Sequence, residues 1–106
     1  MKDLKTRVLT NNFVNRVFTE MEIDADEYSD LRDSLHELSG EWEMASKIDK
    51  ELALYLYCAP LMIRNVFLRL SSLDPVPEIA SQLEDIWVEL DQLVTDCFSP
   101  RSEFSL

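Results

Sequence analysis

Few side chains in this sequence could act as nucleophile, base or metal ligand. There is one histidine, His36, and two cysteines, Cys58 and Cys97. A cysteine becomes a nucleophile when a nearby cation or a helix N-terminus lowers its pKa. Neither thiol has such a neighbour in sequence, and both lie in apolar runs. They read as buried free thiols of a reducing compartment. His36 falls one position after Leu35, beside an apolar stripe rather than on it, which suits a surface imidazole.

Metal chemistry has a similarly thin basis. Asp33 and His36 stand at i and i+3 and share a helical face, but helical di-iron sites need two Glu-x-x-His pairs. Asp24-Ala25-Asp26 opens like a calcium loop, then lacks the next ligand and the glycine of that motif. A carboxylate-only site for magnesium or calcium is left as the route to an enzyme. One glycine in the whole chain rules out a glycine-rich phosphate loop. The expectation is a protein that is not an enzyme, with no catalytic residue, no metal and no cofactor.

The abundant chemistry is carboxylate. Twenty-one acidic residues stand against 10 basic ones, for a formal charge of −11. Nucleic-acid binding needs a basic footprint that displaces counterions, and an anionic membrane surface would repel this chain. The charge favours solubility and encounter with basic partners. Two concentrations stand out. Asp24, Asp26, Glu27, Asp30 and Asp33 crowd the start of one helical segment, with Arg32 as the one base among them. Glu78, Asp85, Glu89 and Asp96 fall on one face of another, within a stretch from Leu70 to Pro100 that has no lysine or arginine. At a rise of 1.5 Å per residue they make a ridge of roughly 27 Å. Asp85 and Glu89 repel each other at i, i+4. The expectation is that all four are exposed, aligned and unpaired.

The elements that carry these residues are helical. The 106 residues are 46% apolar with one glycine and four prolines, too few turn formers for a sheet protein of this length. Leu4, Val8, Leu9, Phe13, Val14, Val17, Phe18 and Met21 predict a first helix from Asp3 to Glu22, weakened by Asn11 and Asn12, which prefer turns. Asp24 and Glu27 stand at capping-box spacing and open a second, along Tyr28, Leu31, Leu35 and Leu38. Gly40 would end it in a left-handed cap, or mark a kink if Trp42 and Ala45 continue it. A third runs from Glu41 or Ser46 to Ser71, with Ile48, Leu52, Tyr55, Ala59, Met62, Val66 and Leu70 as its inner stripe. Pro60 cannot donate to the Leu56 carbonyl, so this helix should kink or divide there.

A second stripe on this helix, Leu54, Leu61 and Leu68 with Tyr57 beside it, lies nearly opposite the first. A helix apolar on two faces is central or covered by another chain, so these four residues form a candidate self-association face and predict a homodimer. Leu73-Asp74-Pro75-Val76-Pro77 is a linker. The fourth helix, Glu78 to Phe98, has the stripe Ile79, Leu83, Ile86, Leu90, Leu93 and Cys97, widened by Trp87, Val94 and Phe98, and ends at Pro100.

Together these predict an all-α, single-domain antiparallel bundle of four to five helices over residues 1–100, with a short flexible tail at 101–106. The N-terminus lacks a signal-type apolar run, and the longest uncharged run, Leu52 to Ile63, is too short to span a bilayer. A cytoplasmic protein is expected. The function that fits is non-catalytic protein binding: a small regulatory or inhibitory module acting on a basic partner, possible forms being a nucleic-acid mimic or an immunity-type inhibitor, with no direct contact to nucleic acid or membrane. The alternatives are a self-associating structural subunit whose acidity only solubilises it, and a carboxylate-metal enzyme.

Overall fold

A computed structural model describes residues 3–45 and 47–99. The expected ends at Pro100 and in the 101–106 tail lie outside them. Five helices follow in order: α1 Leu4–Leu9, α2 Phe13–Glu20, α3 Ala25–Trp42, α4 Lys50–Ser71 and α5 Ile79–Phe98. No strand occurs among the described residues.

The first expected helix is two helices, and the asparagines are the reason. Thr10 closes α1 with its hydroxyl donating to the Thr6 carbonyl at 2.7 Å. Asn11 then turns inward and is buried. Its Oδ1 accepts the Phe13 amide at 2.9 Å, and its Nδ2 donates to the Glu27 carbonyl at 2.8 Å. A side chain that satisfies the backbone locally and across to α3 is a better partner for this joint than a continued helix. Met21 closes α2 in the left-handed region, with φ 58°.

Asp24 caps α3 as its spacing predicts, accepting the amides of Asp26 and Glu27 at 3.1 Å each. Gly40 does not end this helix: α3 passes through it to Trp42, and no glycine has positive φ. Asp49 caps α4 by accepting the Leu52 amide at 3.0 Å, so α4 starts later than Glu41 or Ser46. The helix runs undivided through Pro60, which is buried.

The core shows which face of each helix points inward. Val8, Phe13, Val17, Leu31, Leu35, Leu38, Leu83 and Leu90 have almost no exposed surface. On α4 the buried line is Leu52, Leu56, Ala59, Ile63, Val66 and Leu70. Leu56 and Ile63 replace the expected Tyr55 and Met62, which are half-buried, while Ile48 is exposed and precedes the helix. α5 packs most closely on α4 and next on α3, while α1 and α2 lie across α3 and α4. At about 1.5–3 kcal/mol for each fully buried large aliphatic side chain, this contiguous cluster is the main source of stability. α4 is 22 residues long and contains an 18-residue window of mean hydropathy 1.3, so it is long and apolar enough to cross a membrane by length and composition alone. The length of its uncharged run had suggested otherwise. In the fold one side of α4 belongs to the core.

Candidate functional site

The buried seam of α5 leaves two exposed edges, one toward α3 and one toward α4, and they differ in chemistry. Glu89 lies on the edge toward α3. Its carboxylate accepts the Tyr28 phenol and stands 3.5 Å from the Arg32 guanidinium. Arg32 in turn lies 5.4 Å from the Tyr28 ring centre. Burial first, and then the Glu89 carboxylate, push the Tyr28 phenol well above its ordinary pKa. Glu89 is therefore paired, against the expectation of a wholly unpaired ridge: Arg32, distant in sequence, approaches from α3. Asp96 accepts the Gln92 side-chain amide at 3.0 Å, and its carbonyl accepts the Ser39 hydroxyl at 3.3 Å. Glu78 precedes α5 and gives it no side-chain cap. Glu78, Asp85 and Asp96 are exposed and in no ion pair among the described residues.

The second acidic cluster is largely occupied by the fold. Arg16 on α2 gathers Glu20, Glu22 and the cap residue Asp24, the last at 2.7 Å. Arg7 on α1 holds Glu37 and, at 3.4 Å, Asp30. Glu27 accepts the Asn12 amide at 3.4 Å. Asp26 and Asp33 point to solvent. The cluster therefore works mostly as a clasp holding α3 to α1 and α2. Sequence spacing placed the acids on one helix but could not bring in arginines from two others.

The residues with nucleophilic chemistry do not meet. His36 and Asp33 are exposed on α3. Cys58 is half-buried, and Cys97 is buried with its Sγ 3.4 Å from the Leu35 carbonyl. Burial first, and then Asp96, push the Cys97 thiol up to about 11, the wrong direction for a nucleophile. Among the described residues no group of three or more His, Cys, Asp or Glu is placed to hold a metal ion.

The edge of α5 toward α4 forms a groove of about 720 Å³. Leu56, Pro60 and Leu61 line it from α4, and Trp87, Val94 and Phe98 from α5. Its charged residues are Arg64 and Asp91. Arg64 lies 5.6 Å from the Trp87 ring centre, and the Trp87 indole Nε1–H is buried without a hydrogen-bond partner among the described residues. Sequence reasoning missed this groove; the signal was the widening of the α5 stripe by Trp87, Val94 and Phe98. Beside it, the candidate self-association face stands in solvent: Leu54 is 64% exposed, Tyr57 66%, Leu61 38% and Leu68 47%. Among the described residues no other helix covers these four. Comparison with protein families, with characterised proteins and with solved structures finds no match for this chain.

Proposed function

We propose that this protein is a non-catalytic binding module that docks a basic protein partner on the acidic side of α5. The observation that carries the reading is the state of Glu78, Asp85 and Asp96: exposed, on or just before the one long helix without a lysine or arginine, and in no ion pair among the described residues. Lys5, Arg7 and Arg16 are engaged with acids on other elements, and Arg32 meets α5 at Glu89 alone. Unpaired like charges on one helix oppose folding slightly and concentrate negative potential, which speeds encounter with a cationic surface. A regulatory or inhibitory role, including mimicry of nucleic-acid phosphates or inhibition of a nucleic-acid enzyme, is the form of binding that such a face suits. The scaffold on this reading is an antiparallel bundle whose longest helix bends near Pro60, working in the cytoplasm.

The test is capture from a lysate at graded salt, using the parent and the triple variant Glu78→Gln, Asp85→Asn, Asp96→Asn. A specific protein held by the parent at low salt and lost from the variant supports the proposal. Identical capture by both refutes it, because the acids would then be only a solvated face.

A further inference from the structure

The exposed stripe of α4 is not absorbed by that function, and its residue order is self-complementary. We infer that α4 pairs antiparallel with the α4 of a second copy of this chain, about a two-fold axis at Leu61.

At about 100° per residue, Leu54, Leu61 and Leu68 lie within roughly 20° of one line along the helix. An isologous contact requires each residue to meet its symmetry mate's counterpart. With the axis at Leu61, Leu54 meets the partner's Leu68 and Leu61 meets the partner's Leu61. Tyr57 and Arg64 lie on the same side of that line, toward the groove, at nearly equal distances before and after Leu61. The two-fold therefore brings Tyr57 against the partner's Arg64, a cation over an aromatic face. Asp91 sits across the same groove. Arg64 and Asp91 are in no ion pair within the chain among the described residues, and each gains an opposite charge from the second copy.

Charge also selects the face. α4 carries Lys50, Arg64 and Arg69 against Glu51 alone, and nothing charged between Leu52 and Ile63. α5, beside it, carries Glu84, Asp85, Glu89, Asp91 and Asp96 and no base. In a chain of net charge −11, this is the surface where a second copy can approach without carboxylates meeting, and the ridge of α5 stays on the side facing away.

The experiment is sedimentation equilibrium of the whole chain at about 0.1 mM, with two kinds of variant. The parent should be a dimer, and Leu61→Glu a monomer of unchanged helix content. Arg64→Asp and Asp91→Arg should each weaken association by about tenfold, and the double swap should restore it. Packed helices about 8–10 Å apart leave about 3.4–5.4 Å between facing Cα atoms on radii of about 2.3 Å, a range whose upper part is within disulfide reach. In a Cys58→Ser background, Leu61→Cys should cross-link to itself under oxidised glutathione. Leu54→Cys should cross-link to Leu68→Cys, but neither to itself. The cross-linking result stands even if Leu61→Glu fails to fold. A monomeric parent, a dimer indifferent to residue 61, or cross-linking without this register overturns the inference. So does a monomer that uses these leucines to float with phosphatidylcholine vesicles.

Discussion

Replacing Asn11 by alanine should be among the most destabilising polar substitutions in the molecule. The side chain is buried and makes two good hydrogen bonds, one to the Phe13 amide and one to the Glu27 carbonyl. Each such bond contributes about 1 kcal/mol net, and a buried donor left without a partner costs about 1–3 kcal/mol. The Phe13 amide is the group left stranded, because it opens α2 and has no helical acceptor of its own. The Glu27 carbonyl is less affected, since it lies inside α3. The expected loss is about 2–4 kcal/mol, a large share of the roughly 5–15 kcal/mol that stabilises a typical domain. At about 4–8 °C per kcal/mol for a domain near this size, melting should fall by roughly 10–25 °C. Asn12→Ala is the control: Asn12 is exposed and makes no capping bond with its side chain, so a change within about 0.5 kcal/mol is expected. Urea unfolding followed by circular dichroism measures both. A loss below about 1 kcal/mol for Asn11→Ala, or equal losses for the two asparagines, would show that the α1–α2 joint is not held by this side chain.

Met21→Gly should raise stability by about 1 kcal/mol, because a left-handed φ of 58° strains any residue with a Cβ; a fall in the urea midpoint would show that Met21 packing outweighs the strain. Gly40→Ala should also stabilise, by about 1 kcal/mol, since it lies inside α3 and a Cβ there meets nothing within 4 Å; the same titration decides it. Glu89→Gln should lower the melting temperature through its contacts with Tyr28 and Arg32, while the triple variant at Glu78, Asp85 and Asp96 should leave it unchanged or raise it. Stability should be flat through neutral pH and fall in alkali. Burial raises Cys97 from 9.0 to about 11 and Tyr55 from 10.0 to about 12, so the fold favours the neutral forms. That preference costs nothing below the unfolded values and is lost as pH climbs from them toward the folded ones. Tyr55→Phe should remove up to about 1.4 kcal/mol per pH unit of that fall above pH 10; an unchanged alkaline limb would place the titrating group elsewhere.

Local signals carried most of the architecture. The Pro75–Pro77 linker, the cap at Asp24 and the long stripe of α5 were readable because each rests on neighbours in sequence. The inner face of α4 was not, because a helix apolar nearly all round has no polar side to set the phase; Leu56 and Ile63 lie in the core. Gly40 misled because glycine permits a left-handed cap without requiring one, and here α3 continues to Trp42. Among the described residues the α5 ridge differs from its expected unpaired state at Glu89, where Arg32 arrives from a segment 57 residues away. The groove needed two helices in place before it existed.

The absence of lysine and arginine from α5 also sets how this helix responds to reagents. Trypsin has no cleavage site between Arg69 and Arg101, so its digestion pattern cannot report whether α5 is folded, whereas a glutamate-specific protease can. Amine-reactive labels leave the helix unmodified. Carbodiimide activates its carboxylates, and any amide that forms must take its nitrogen from another molecule or another part of the chain. A covalent adduct on α5 is therefore directional, with the acid from this helix and the lysine from whatever lies against it.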